Sequence, residues 1–175
     1  MLKIILILVV VVIVAILAFA ASRPNKFRVQ RSASIKAPAE KLFPLIADFH
    51  NWSSWSPWEK KDPALKRTFS GAASGKGSVY AWEGNREVGS GRMEITEASS
   101  PSKVAIQLDF LKPFEAHNNV DFTLQSTGGE TTVTWDMAGH QAYVMKIFGI
   151  FVNMDKAIGK DFETGLANMK AVAEK

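Results

Sequence analysis

Residues 104–125, VAIQLDFLKPFEAHNNVDFTLQ, carry the clearest strand pattern of the chain, because apolar and polar side chains alternate along two segments that Lys112-Pro113 connects. Successive side chains of a strand point to opposite faces of a sheet, so the alternation predicts two half-buried strands. A turn-forming dipeptide between them predicts a hairpin. The side chains predicted to face inward are mostly apolar, namely Val104, Ile106, Leu108, Phe110, Phe114, Ala116, Asn118, Val120, Phe122 and Leu124.

The flanking sequence extends this pattern on both sides. Between Leu65 and Gly139, short alternating segments are separated by turn residues such as Gly84-Asn85 and Gly128-Gly129. Six strands in this span predict an antiparallel meander, and Phe27 to Ile35 alternates in the same way and predicts a first strand. The sheet should therefore have about seven strands. Further side chains predicted on its inward face are Tyr80, Trp82, Met93, Val133, Trp135 and Met137.

The last 33 residues change to a helical period. Apolar residues recur there at steps of three and four, which predicts one long amphipathic helix. The apolar stripe consists of Ile147, Phe151, Met154, Ile158, Phe162, Gly165, Met169 and Val172. Glycines at 149, 159 and 165 lower helix propensity, so we expect a close approach to another surface there. Strands followed by one helix predict an α+β fold, a curved antiparallel sheet around the C-terminal helix, with a cavity between them.

The amino terminus carries 18 consecutive apolar residues, Ile4 to Ala21. At about 1.5 Å per residue they form a helix of roughly 27 Å, enough to cross the hydrocarbon core of a membrane. The alternative is a cleaved signal peptide, for which Ala18-Phe19-Ala20 offers a small-x-small pattern. The run is longer than the apolar part of a typical signal peptide, and only Lys3 precedes it. We therefore expect residues 1–22 to be an uncleaved, single-pass transmembrane anchor.

The positive charge is concentrated beside this run. The chain has 21 Lys and Arg against 17 Asp and Glu, a net charge of +4, yet residues 37–175 carry a net charge of −2. The excess lies in a basic juxtamembrane segment, residues 23–36, which runs into the first strand. By the positive-inside rule the body, residues 27–175, lies in the cytoplasm. The basic segment either contacts anionic headgroups or is a solvated flank.

The same charge distribution excludes a nucleic-acid partner for the body, which is slightly acidic. The chain has no Cys, which rules out disulfides, a thiol nucleophile and Cys-ligated metals.

Several stretches resemble a known family. Residues 48–58, DFHNWSSWSPW, are similar to the D-F-x-N-W-x-x-W-S-P-W pattern of a polyketide cyclase/dehydrase-like branch of the SRPBCC (START-like, helix-grip) superfamily. Further matches are APAEKLF at 37–43, YAWEGN at 80–85, LDFLKPFE at 108–115 and NMDKAIGKDFE at 153–163. The resemblance implies a helix-grip fold whose cavity binds lipids, sterols, polyketides or hormones. It also implies that catalysis is a minority activity and that an N-terminal membrane segment is familiar among members.

The inward side chains and the resemblance together define a candidate ligand pocket. It consists of Trp55, Trp58, Tyr80, Trp82, Met93, Phe110, Phe114, Asn118, Trp135, Phe151 and Met154. Trp52, Trp55 and Trp58 have the spacing of one face of a helical turn. They either form an aromatic wall over the cavity mouth or pack in the core, and the core is favoured for Trp52.

Chemical motifs are weak. There is no His-x-x-x-His spacing for a metal and no Gly-x-Ser-x-Gly elbow for a serine nucleophile. Glu83 and Glu87 flank a turn, where exposed charges are common. We therefore predict no catalytic residue, no metal and no cofactor.

Three functions remain open. The first is a membrane-tethered protein, held through residues 4–21, that binds a hydrophobic small molecule or lipid. The second is a polyketide cyclase/dehydrase-like enzyme using Tyr80, Glu87 or Asn118, and the third is a non-catalytic stress-response or co-chaperone-like module. A largely apolar pocket with few polar groups favours binding over acid–base chemistry.

Overall fold

The computed structural model describes residues 1–175 and consists of four helices and seven strands. The helices are α1 (Leu2–Ser22), α2 (Ala39–Ala47), α3 (Tyr143–Phe151) and α4 (Met154–Ala173). The strands are β1 (Lys26–Ile35), β2 (Lys66–Gly71), β3 (Ser78–Glu83), β4 (Ser90–Ser99), β5 (Lys103–Lys112), β6 (Ala116–Thr127) and β7 (Glu130–His140). Two short 3₁₀ helices, Phe49–Ser54 and Pro57–Lys60, connect α2 to β2.

The strands form one antiparallel sheet in the order β1-β7-β6-β5-β4-β3-β2. The six strands after α2 are joined by successive hairpins. Strand β1 forms one edge of the sheet and pairs along β7, from Lys26 opposite His140 to Ile35 opposite Thr131. The predicted α+β fold is confirmed, including the number of strands.

Burial follows the alternation predicted from the sequence. Most inward residues of β5, β6 and β7 are buried and their neighbours are not, whereas Phe110 and Ala116 at the ends of β5 and β6 are partly buried. Together with residues of α2 and α4 they form one apolar core, which includes Leu42, Ile46, Ile95, Val104, Phe122, Val133, Phe162, Leu166 and Met169.

Helix α4 lies against the sheet at two glycines. A Cβ on Gly165 would lie 2.9 Å from Cζ3 of Trp135, and the Arg31 side chain occupies the space that a Cβ on Gly159 would need. The Phe162 and Trp135 rings stack between these points, with centroids 4.2 Å apart. The expected close approach is confirmed at Gly165 and Gly159, but it was wrong for Gly149, where a Cβ would make only ordinary contacts at 3.5 Å.

The C-terminal region is two helices, and the prediction of a single uninterrupted helix was wrong. Val152 has extended backbone angles, and Asn153 then caps α4, its side chain accepting a hydrogen bond from the Lys156 backbone N–H at 2.9 Å. The period of three and four continues across the break, so the sequence pattern did not reveal it. Beyond the break, α3 packs mainly against α1.

Strand register brings α1 and several loops to one end of the sheet, here called the α1 end. Lys26, which follows α1, is paired with His140, and Ser90 is paired with both Glu83 and Lys112. The loops 83–90 and 112–116 and the connection from β7 to α3 therefore lie at the same end as α1. The turns at 71–78, 99–103 and 127–130 lie at the opposite end.

Helix α1 is apolar and uncovered. It has 21 residues, of which only Ala20 is buried against the rest of the chain. It is the one helix long and apolar enough to cross a membrane, a criterion that a signal sequence also meets. Its apolar surface is not part of the core of the domain.

Candidate ligand-binding cavity

A cavity of about 520 Å³ lies between the inner face of the sheet and α4, and 20 of its 29 lining residues are hydrophobic. Residues of the α1 end, among them Glu87, Pro113, Phe114 and Gln141, line its outer part. The cavity therefore opens toward α1. This follows from the break before α4, which leaves the sheet uncovered at that end.

Nine of the eleven candidate pocket residues line this cavity. They are Trp58, Tyr80, Trp82, Met93, Phe110, Phe114, Asn118, Trp135 and Met154. The structure brings them together from five strands, the β5–β6 loop, a 3₁₀ helix and α4. Trp55 and Phe151 do not line the cavity.

Trp55 lies in the core, with 0% of its surface exposed. The Trp55 indole N–H donates to the Leu45 carbonyl at 2.8 Å, and the Asn168 side chain donates to the Trp55 carbonyl at 3.0 Å. Trp55 therefore joins α2, through its ring, to α4, through its backbone carbonyl. Trp52 instead reaches the wall, although its N–H also donates to the end of α2, at Ile46. The spacing of three residues between the tryptophans does not predict which of their rings is buried in the core and which lines the cavity.

Phe151 is 71% exposed at the end of α3. Phe151 would lie on the same helix face as Met154 and Phe162 only if the C-terminal helix were continuous. Because the chain becomes extended at Val152, the Phe151 ring turns outward from the cavity.

Aromatic rings make up two parts of the wall. Trp58 meets both Trp135 and Phe162 edge to face, with centroids 5.7 and 6.2 Å apart. On the other side, Trp82 stacks on Tyr80 and meets Phe110 edge to face at 5.8 Å. Such rings give a rigid surface with a large apolar area, suited to a flat or chain-like apolar ligand.

A buried carboxylate contributes the main polar group on the wall, and sequence reasoning did not identify it. Glu59, whose side chain is 7% exposed, accepts hydrogen bonds from the Tyr80 hydroxyl at 2.6 Å and from Arg67 Nε at 2.6 Å. Burial, and then the bond to Glu59, raise the pKa of the Tyr80 phenol far above its ordinary value. The phenol therefore stays protonated and donates to the carboxylate. Nothing in the sequence near Glu59 pairs it with Tyr80 or Arg67, since both partners come from later strands.

Asn118 is the second polar group. It is buried, and its Oδ1 has no hydrogen-bond partner. This oxygen lies over Gly139 of the neighbouring strand, in space that a side chain there would fill. The buried Trp135 Nε1 is likewise unpaired. Unpaired buried polar atoms are costly, so both mark places where the wall departs from what stability alone would favour.

Residues at the mouth were also missed. His140, Gln141, Ala142 and Met145 line the cavity where β7 passes into α3. The sequence places them at a turn and in a helix, with no sign that they face the cavity. Their position depends on how α3 is oriented.

Of the other titratable residues, Glu87, Glu115, His140 and Asp161 also line the cavity, and the rest lie outside it. His117 is on the outer face of β6, where its Nδ1 lies 2.7 Å from Asp109 Oδ1, and this contact raises the pKa of His117. Glu83 and Glu87 are exposed at their turn. No group of three His, Cys, Asp or Glu side chains is placed to hold a metal ion.

Solved structures share this fold. Major latex-like protein 151 from Panax ginseng superposes with a TM-score of 0.62 at 12% identity, covering 87% of this chain and 100% of that protein. The Aha1 dimer from Colwellia psychrerythraea gives 0.60 at 15% identity, with 85% and 96% covered. Protein CV1439 from Chromobacterium violaceum gives 0.59 at 12% identity, with 87% and 99% covered. At these identities the likeness concerns the fold alone.

Comparison of the sequence with protein families identifies the family, which the likeness to solved structures does not. No curated protein matches the chain. The family described as "Polyketide cyclase / dehydrase and lipid transport" matches residues 26–174, which is the whole domain that follows α1. A match over this length, on a helix-grip fold with an apolar cavity, identifies the chain as a member of the polyketide cyclase/dehydrase and lipid transport family.

Proposed function

We propose that this protein is a membrane-tethered binding protein for a hydrophobic small molecule or lipid, which it holds in the cavity between sheet and α4. Residues 1–22 are the anchor, residues 23–36 the basic segment at the membrane surface, and residues 27–175 the binding domain. The observation that carries the proposal is the apolar cavity that opens at the end of the sheet where α1 joins.

The lining favours binding over catalysis. Most of the wall is aliphatic or aromatic, and the buried carboxylate on it, Glu59, is already engaged by Tyr80 and Arg67. Large apolar pockets with few polar groups are typical of sites that hold hydrophobic ligands. A volume of about 520 Å³ also disfavours an interaction module with a collapsed interior. The name of the family includes lipid transport, which agrees with such a ligand.

The uncovered helix α1 favours a tether. A helix with this composition cannot stay exposed to water at low cost, and the domain does not cover it. Five Lys and Arg follow it before the first acidic residue, which supports a cytoplasmic location for the domain. Tethering keeps the cavity close to the bilayer, where apolar ligands concentrate.

A photocrosslinking experiment tests the binding function. The full chain is reconstituted in phosphatidylcholine nanodiscs that contain a diazirine-labelled fatty acid, irradiated, and mapped by mass spectrometry. We expect crosslinks on β3 to β6 at cavity-lining residues. Leu108→Trp fills the cavity and should reduce these crosslinks several-fold.

Gln107→Trp is the matched control, because its side chain lies on the opposite face of the same strand. It should leave labelling unchanged. Crosslinks confined to α1, or equal labelling of wild type and Leu108→Trp, would contradict a lipid-binding cavity.

A further inference from the structure

Helix α3 carries an apolar face that the rest of the protein leaves uncovered. Val144, Phe148 and Phe151, at steps of four and three, are exposed, as are Tyr143 and Val152 at the two ends of the helix. Residues spaced in this way share one side of a helix. The nine-residue helix therefore presents an outward apolar surface that includes two phenylalanines.

The only charged residue of this segment is turned inward. Lys146 is 5% exposed, and its Nζ donates to the Arg23 carbonyl at 3.0 Å and to the Asn25 side chain. Its charge therefore lies at the carboxyl end of α1, where the helix dipole favours a cation. The outward face of α3 is left without any charge, which is unusual for a surface in contact with water.

Hydrogen bonds fix α3 at the end of α1. The Tyr143 hydroxyl donates to the Leu17 carbonyl at 2.7 Å, and Arg23 Nη1 donates to the Gly149 carbonyl at 2.8 Å. Leu17 lies in the last turns of the apolar helix, and Arg23 is the first basic residue after it. Helix α3 is thus held at the level where the apolar helix gives way to the basic segment.

An adjacent side of α3 lines the cavity. Met145 and the preceding Ala142 are part of the wall. The helix therefore lies between the cavity and the surface on which its phenylalanines are exposed. It forms one lip of the opening at the α1 end.

We propose that the outward face of α3 is embedded in the headgroup–acyl boundary of the same bilayer that α1 spans, so that the cavity opens onto the membrane surface. This inference rests on the proposed tether and adds to it the orientation of the domain and the source of the ligand, which is a bilayer lipid or an apolar molecule dissolved among lipids. Interfacial helices are buried to a depth of about 5–10 Å, with basic residues reaching the headgroups. Arg23 and Lys26 are placed to supply that contact.

Site-directed spin labelling of the full chain tests the proposal. Because the chain has no Cys, each variant carries one label. The positions are Val144→Cys and Phe151→Cys on α3, Val11→Cys within α1, and Thr127→Cys at the opposite end of the sheet. Each variant is reconstituted in nanodiscs of phosphatidylcholine and phosphatidylglycerol, and collision rates with oxygen and with a water-soluble nickel chelate are compared.

The expected order of the oxygen-to-nickel accessibility ratio is Val11 highest, Val144 and Phe151 intermediate, and Thr127 lowest, with several-fold differences between the groups. Equal ratios at Phe151 and Thr127, with a high ratio at Val11, would overturn the placement of α3 while the tether stands. A water-like ratio at Val11 would overturn the tether and this inference with it. Low collision rates with both reagents at Phe151 would mean that a second protein copy covers the helix, which also contradicts a membrane contact.

Discussion

At the scale of single residues, the group formed by Glu59, Tyr80 and Arg67 links the 3₁₀ turn to the outer strands. Glu59 follows the Trp-rich stretch, whereas Tyr80 and Arg67 lie on β3 and β2. The carboxylate is held by one neutral and one charged donor, each at 2.6 Å. This arrangement positions one wall of the cavity. It also makes the stability of the folded protein sensitive to alkaline pH.

Ionisation of Tyr80 should be shifted to strongly alkaline pH. Burial and the bond to Glu59 raise its pKa well above 10.0, its ordinary value. A pKa raised in the folded state stabilises the protein fully below the unfolded value, and this contribution is lost as pH rises above 10 toward the folded value. Subtracting the tyrosinate absorbance of Tyr80→Phe from that of wild type isolates this one phenol. A midpoint near 10.0 would contradict the buried hydrogen bond.

Replacing Glu59 should destabilise the fold. Glu59→Ala leaves the Tyr80 hydroxyl and the Arg67 guanidinium without their acceptor, and we expect a loss of about 1–3 kcal/mol in the free energy of unfolding. This loss is smaller than the loss expected for a fully buried ion pair, because the Arg67 side chain is 33% exposed and solvent screens its charge. Urea unfolding of the full chain in detergent micelles measures it.

Glu94→Ala is the control, because its partner Arg92 forms a surface pair. It should change the free energy of unfolding by less than about 0.5 kcal/mol. Equal effects of Glu59→Ala and Glu94→Ala would mean that burial does not strengthen the Glu59 contacts.

At the scale of elements, the two C-terminal helices contain glycines in contrasting surroundings. Gly165 of α4 faces the Trp135 ring and Pro57, at distances that leave no room for a Cβ. At Gly149 of α3, a Cβ would meet only the ends of the Arg23 and Gln141 side chains, at 3.5 Å. The same substitution should therefore have opposite effects in the two helices.

Gly165→Ala should lower the free energy of unfolding. Overpacking costs about 1–3 kcal/mol, which outweighs the gain in helix propensity of about 1 kcal/mol because the indole is fixed by its stack on Phe162. Gly149→Ala, which avoids overpacking, should be neutral or stabilising. Both are compared with wild type by urea unfolding in micelles. If Gly165→Ala were also stabilising, α4 would have to lie farther from the sheet than it does here.

At the scale of the whole molecule, an uncovered apolar helix and a folded domain meet at a junction built by α3. Hydrogen bonds from Tyr143, Arg23 and Lys146 cross this junction. If α1 spans the bilayer, the domain is held at its surface in a defined orientation. The proposals for the tether and for α3 both depend on this junction.

The tether predicts behaviour in membrane extraction. We expect the chain to remain with membranes after carbonate treatment and its intact mass to include residues 1–20, whereas a cleaved signal peptide would shorten it. Val11→Arg combined with Val12→Arg should release it, because each Arg at the centre of a helix costs about 2.5–3.5 kcal/mol of insertion. Ser22→Arg, at the end of the helix, should leave the protein in the pellet. Extraction of the wild-type chain by carbonate would argue against a spanning helix.

The seven strands, their inward faces, α1 and the amphipathic character of the C-terminal region could be predicted from the sequence alone. Each rests on a local period, two for strands and about 3.6 for helices, which a single segment displays without its partners. For the same reason eight pocket residues on the predicted inward faces or on the apolar stripe of the helix reach the cavity, including Asn118 and Met154.

The difference between Trp55 and Trp58, the contact of Glu59 with Tyr80 and Arg67, and the break between α3 and α4 could not be predicted from the sequence. The same holds for the attachment of α3 to the end of α1. These features depend on contacts between residues distant in the chain, such as Tyr143 with Leu17, and no local period encodes such pairs. The sequence by itself determined which faces are apolar. The packing of elements against one another determined which of those faces became core, which became cavity and which remained uncovered.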